Sequence, residues 1–144
     1  MTASQPSSPT DDAFQTSFPP RTDALARARK AFSAWLRRRT QGEAVDELEI
    51  VFSELAANAV DASPDGADEV TGRAWCEGSE LVLDLENRTD PAAVAAEPAA
   101  RWDLDDPLRT GGRGLVITEA LVDSMEVRPA PGQRLVVRCR RRLE

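Results

Sequence analysis

Histidine is absent from this chain of 144 residues. Without it there is no Ser-His-Asp triad, no imidazole general base and no His-ligated zinc. There is also no histidine to accept a phosphoryl group. Cysteine is scarce: Cys76 and Cys139 fall in segments that read as strands. They are expected as small buried hydrophobes rather than as a disulfide. No apolar run approaches the length of a membrane span. The first residues, Met1 to Pro9, lack the basic and hydrophobic regions of a secretory signal, so a cytoplasmic protein is expected. Basic charge is also short, with 18 Lys and Arg against 25 Asp and Glu and a net charge of −7. That balance argues against direct nucleic-acid binding, which needs a basic surface.

What is present suffices for one domain with one core, since 41% of the residues are apolar. Residues 1–12, rich in Ser, Pro, Thr and Asp, read as a disordered tail, and 13–144 as the domain. A short strand over 13–18 stops at Pro19-Pro20. A helix over 23–39 follows, capped by Thr22 or Asp23, with Leu25, Ala28, Ala31, Phe32, Trp35 and Leu36 as its stripe. A second helix over 43–62 buries Val45, Leu48, Val51, Phe52 and Leu55. Strands over 69–76 and 81–87 form a hairpin, with Val70, Ala74 and Cys76 on one face of the first. Leu81, Leu83, Leu85 and Asn87 share a parity, so Asn87 should emerge on the helix-covered face. Residues 88–111 form a connection too long to be an ordinary loop. A helix over 115–123 and strands over 124–128 and 133–139 close the chain. The arginines at 37–39 and at 138 and 140–142 serve solubility or meet an acidic protein. Trp75 beside Arg73 is a candidate contact surface.

The second helix carries the first chemical signal. Glu54, Asn58 and Asp61 fall at i, i+4 and i+7, so a carboxylate, an amide and a second carboxylate share one stripe. Magnesium takes oxygen ligands and usually keeps several waters, so one amide oxygen plus phosphate oxygens can hold it. Asn58 can supply that oxygen, and Glu54 can accept a proton from an attacking hydroxyl. Small neighbours, Ala56, Ala57, Ala59 and Ala62, leave room for a ligand. The plain alternative is a solvated helix face.

The second signal is Thr110-Gly111-Gly112-Arg113-Gly114-Leu115, running into a helix. Glycines at a helix start leave bare N–H groups at the positive end of the dipole, a phosphate-binding arrangement. Here the alternative is an ordinary flexible turn.

Together these stretches resemble the GHKL ATPase superfamily, and more narrowly the anti-sigma-factor serine kinases, over about residues 14–140. Glu54 and Asn58 match its N-box, and Gly112, Arg113, Gly114 and Leu115 its second glycine box. The resemblance implies a Bergerat α/β sandwich: a mixed, mostly antiparallel sheet with three helices on one face and a lid over about 88–111. It implies ATP and Mg²⁺ as cofactors, with Glu54 as catalytic base and Asn58 as metal ligand. Asp61 would lie near the ribose or a bound water, and Gly112 to Leu115 around the phosphates. Arg113, or Arg109 in the lid, would reach the γ-phosphate. A sigma factor and an anti-anti-sigma antagonist protein would be the partners, and the chain would be a homodimer. Where the family has an Asp that accepts from the adenine amino group, this chain has Asn87, with Asp90 as a substitute if the strand ends later. An Asn carbonyl accepts the same bond without charge. The altered 87–90 stretch keeps a second reading open, a non-catalytic module of this fold that sequesters a regulator.

Overall fold

The computed structural model describes residues 13–63, 69–88 and 112–143, with 112–116 described by their backbone. The order is β1 (Phe14–Phe18), α1 (Thr22–Arg37), α2 (Glu43–Ala62), β2 (Val70–Glu77), β3 (Glu80–Arg88), α3 (Gly112–Leu121), β4 (Ser124–Ala130) and β5 (Arg134–Arg142). The strands form one open sheet in the order β1-β2-β3-β5-β4. Every described pairing is antiparallel. The three helices pack together on one face, giving the two-layer α+β sandwich. The expected tail over 1–12 and the lid beyond Arg88 lie outside the described residues.

Strand alternation explains the two faces of the sheet. Val70, Gly72 and Ala74 of β2, Leu81, Leu83 and Leu85 of β3, and Leu135, Val137 and Cys139 of β5 are buried under the helices. Aromatic rings fill the space above them. Phe32 of α1 and Phe52 of α2 stack with centroids 4.6 Å apart, and Phe14 meets Phe32 edge-on at 5.5 Å. Such pairs contribute beyond their buried area. Gly72 makes the close approach possible, because a Cβ there would sit 3.3 Å from Thr16 Cγ2 and 3.6 Å from the Phe52 ring. The hairpin between β2 and β3 turns on Gly78, whose φ of +64° is glycine territory.

Several local expectations change. The residue before α1 is Arg21, with no side-chain cap, and Asp23 sits inside the first turn, ion-paired to Arg21 at 3.2 Å. Ala24 is buried in place of Ala31, which is exposed. Cys139 is buried as expected, but Cys76, the penultimate residue of β2, is exposed where the strand runs out into the turn. Pro129 continues β4, which is tolerated because β4 is an edge strand. Asp84 faces away from the helices yet is buried, because Arg138 covers it with two bonds of 2.7 and 2.8 Å. The Arg138 guanidinium also lies 5.3 Å over the Trp75 ring. Trp75 is half-buried and its Nε1–H donates to Glu77 at 2.9 Å, so it is no free-standing exposed aromatic. That bond, with Arg140, holds the Glu77 carboxyl below its usual range. Arg37, Arg138, Arg140 and Arg141 all pair with carboxylates of this chain. The C-terminal arginine cluster is therefore largely neutralised within the fold, and Arg37 of the first cluster is paired as well.

Candidate functional site

Helix α2 is the element on which the site is built. Gly42 enters it with φ of +81°, and Glu43 and Asp46 sit in its first turn, where the dipole favours acid. Its bounds, Glu43 to Ala62, are those the sequence implies, because no Gly or Pro interrupts the run. Its core face lies over β2 and β3. The stripe with Glu54, Asn58 and Asp61 also contains Glu47, two turns before Glu54, which takes two bonds from Arg141 of β5 at 3.1 and 2.5 Å. That clamp fixes the rotation of α2 about its axis.

Burial grades along the stripe. Asp61 is exposed, Glu54 half-buried and Asn58 only 9% exposed. Glu54 stands outside the ion pairs that hold Glu47 and Glu49 among the described residues. Asn58 Nδ2 is buried with no hydrogen-bond partner. An unpartnered buried amide costs about 1–3 kcal/mol, so its persistence calls for a reason.

Helix α3 packs against α2. It begins at Gly112, three residues earlier than the sequence implies, because glycine's poor helix propensity reads as loop. Gly112, Arg113, Gly114 and Leu115 therefore form its first turn, whose N–H groups have no partner within the helix. Further along α3, Thr118 is fully buried and its Oγ1 also lacks a partner. Nothing in the sequence marked Thr118: one hydroxyl in an apolar helix reads as filler. Asn87, near the end of β3, is 5% exposed, opposite Leu135 of β5, on the helix-covered parity expected. Its Nδ2 donates to the Arg88 carbonyl at 2.8 Å, which leaves Oδ1 as the group to present. Asp90, Arg109 and the side chains of Arg113 and Leu115 lie outside the described residues.

Helix α2, which carries Glu54 and Asn58, thus packs against the helix opened by the glycine box. The residues fit a magnesium-bound polyphosphate in one definite respect. Among the described residues no group of three or more His, Cys, Asp or Glu can cage a metal. A cation here would take one amide oxygen from Asn58 and the rest from phosphates and water, the mode Mg²⁺ tolerates. Asn58 is the amide on this stripe, and no hydrogen bond to its Nδ2 ties the group to another orientation.

Residues 18–140 match the family model of the histidine kinase-like ATPase domain. The chain belongs to that family. The GHKL resemblance carried by the N-box and the glycine box stands accordingly. Among solved structures, a chain of the SiaB–SiaC complex from Pseudomonas aeruginosa is similar with a TM-score of 0.62 and 13% identity, over 96% of this chain and 95% of that one. The mycobacterial sensor histidine kinase MprB is similar with a TM-score of 0.54 and 15% identity, over 90% of this chain and 96% of that one. At such identities the likeness is one of fold. No curated protein sequence matches. No helix among the described residues of this ATPase domain is long and apolar enough to cross a membrane.

Proposed function

We propose that this histidine kinase-like ATPase domain is an ATP- and Mg²⁺-dependent protein serine/threonine kinase that doubles as an anti-sigma factor. Its protein substrate is an antagonist that presents a Ser or Thr hydroxyl, and the domain exchanges that antagonist for a sigma factor. The observation that carries the nucleotide half is buried Asn58, its Nδ2 without a partner, one helical turn from half-buried Glu54 on the helix that packs against the one opened by the glycine box. That a chain of the same fold is found in a two-protein complex supports the partner half.

The roles follow from the groups. Bound Mg²⁺ supplies neutralisation of phosphate charge. Asn58 offers Oδ1 to it, and the first-turn amides of α3 with Arg113 hold the phosphate oxygens. Glu54 accepts the proton of the acceptor hydroxyl, whose oxygen bonds to the γ-phosphorus as the bond to the bridging oxygen breaks and ADP leaves. Asn87 presents Oδ1 to the adenine amino group. Asp61, exposed at the stripe's end, is left for the ribose or its water. Phosphoryl transfer needs mainly positioning and charge neutralisation, so this small set suffices. Ile50, one turn before Glu54, is 43% exposed, as is Ile117 on α3. These are the large hydrophobics left open among the described residues, and a protein substrate can cover them.

Asn87 also favours a second reading. An uncharged acceptor gives less binding energy than a carboxylate, and a domain with weakened adenine contact can still sequester a regulator. Titration of a fluorescent ATP analogue with and without Mg²⁺ separates the two. The kinase reading expects binding that tightens with Mg²⁺; no binding at millimolar nucleotide leaves the sequestering module.

A further inference from the structure

Among the described residues, two buried side-chain polar atoms have no hydrogen-bond partner, Asn58 Nδ2 and Thr118 Oγ1. They belong to α2 and α3, two helices that pack against each other. Thr118 is 0% exposed and Asn58 9%. A threonine inside a helix ordinarily satisfies its hydroxyl on the carbonyl four residues back. Thr118 does not, although Gly114 stands at that position. Buried polar groups are nearly always satisfied, and each orphan costs about 1–3 kcal/mol. A valine of the same shape at position 118 would avoid the cost. A chain that carries both orphans on two touching helices holds a pair of complementary groups: Nδ2 can only donate, and a hydroxyl can accept.

We propose that Thr118 is a positioning residue for the metal-binding amide. Its hydroxyl accepts from Asn58 Nδ2, directly or across one water, when nucleotide is bound, and so turns Asn58 Oδ1 toward the cation. An amide is two-sided, with oxygen and nitrogen of nearly equal size. Without a partner on the nitrogen it is free to present the wrong end to Mg²⁺. A fixed acceptor on the α3 side removes that freedom. Gly114 and Thr118 are one turn apart on the same face of α3. The turn that would hold phosphate and the hydroxyl that would hold the amide are thus one rigid piece. The inference rests on the nucleotide reading above and adds to it a residue outside both motifs.

Thr118→Val and Thr118→Ser test it, each measured for thermal unfolding and for ATP affinity with and without Mg²⁺. Outer partners of metal ligands typically contribute 10–100-fold to metal affinity. Thr118→Val is therefore expected to lose at least tenfold of the Mg²⁺-dependent part of ATP affinity while its Tm holds or rises. Thr118→Ser restores the hydroxyl and is expected to recover most of the Mg²⁺ dependence. A valine variant with unchanged Mg²⁺ dependence overturns the proposal. So does one whose Tm falls and whose affinity drops equally with and without Mg²⁺, which marks a packing role. If the wild-type chain binds no ATP at all, the nucleotide reading itself fails, and this inference with it. If the wild type binds and only the variants disagree, the fault lies with Thr118 alone.

Discussion

The two flanks of α2 are built on opposite principles. On the side of α1, aromatic and charged groups find matches. Phe52 stacks on Phe32, and Glu49 accepts from Ser33 and from Arg37, the latter at 2.9 Å. A shallow groove there, about 310 Å³, has phenylalanine at its floor and Arg29, Lys30 and Glu49 at its rim. Half-way round α2 from Glu49, and on α3, groups lack a match: Asn58 Nδ2 and the Thr118 hydroxyl have no partner, and the half-buried carboxylate of Glu54 stands outside the described ion pairs. One helix thus has a flank whose groups are satisfied within the fold and a flank where some are not. Strain at a site is tolerated where the surrounding structure over-determines it. The packed flank and the Glu47–Arg141 clamp supply that surplus here.

The largest effect that would break this contrast comes from the open flank. Glu54→Ala is expected to leave nucleotide binding and stability intact, because Glu54 holds no other described element in place. Phosphoryl transfer to the antagonist is expected to fall by about 10²–10⁴, the usual worth of a positioned base. Equal transfer rates in a single-turnover assay would remove Glu54 from the chemistry. From the packed flank, Phe52→Ala should do the reverse. It opens a cavity between α2, α1 and Gly72, and the loss of a buried phenylalanine costs about 3–5 kcal/mol. Urea unfolding reads this directly; a loss under about 1 kcal/mol would mean that the aromatic stack is not what holds α2.

A smaller effect concerns the sheet beneath. Burial first, then the Asp84 carboxylate, pushes the Cys139 thiol up to about 12 from 9.0. A folded pKa above the unfolded one makes a thiol's contribution complete below about pH 9 and lost as pH climbs toward 12. Over that window the stability should fall by up to about 1.4 kcal/mol per pH unit on account of this group. Cys139→Val should flatten the alkaline limb of the stability profile. A disulfide-exchange reagent at neutral pH should label exposed Cys76 and spare Cys139 until the chain unfolds; equal labelling of both would contradict the burial of Cys139.

The same contrast governs what the amino-acid order reveals. The packed flank was legible because apolar spacing encodes it: Val45, Leu48, Val51, Phe52 and Leu55 announce a face, and α2 runs over the span they imply. The carboxylate and amide of the open flank were legible too, since i, i+4 spacing places them on one stripe before any fold is known. Their surroundings were not. The burial of Asp84 depends on Arg138, which is 54 residues away and arrives only through the β3–β5 register. Exposure at Cys76 depends on where a strand ends. Thr118 became visible only as a hydroxyl without a partner, a property of three-dimensional packing that no period in the sequence carries. Glycine misled about structure, since the residues that read as loop form the first turn of α3.

The smallest effect tests whether the open flank also meets a protein. Ile50 is exposed on α2 one turn before Glu54, and Ile117 is equally exposed on α3. Neither is needed for the core, so Ile50→Ser should change stability by no more than about 0.5 kcal/mol, as ordinary surface substitutions do. ATP affinity should not move either. If the antagonist protein docks across the two isoleucines, covering the remaining apolar surface of Ile50 contributes about 1 kcal/mol, at about 25 cal/mol per Å². The kcat/KM for the protein substrate would then fall several-fold, with the change in KM rather than kcat, because docking contacts bind substrate and transition state alike. A serine variant with unaltered KM would confine the partner to other surfaces. It would also leave the exposed isoleucines as ordinary surface residues.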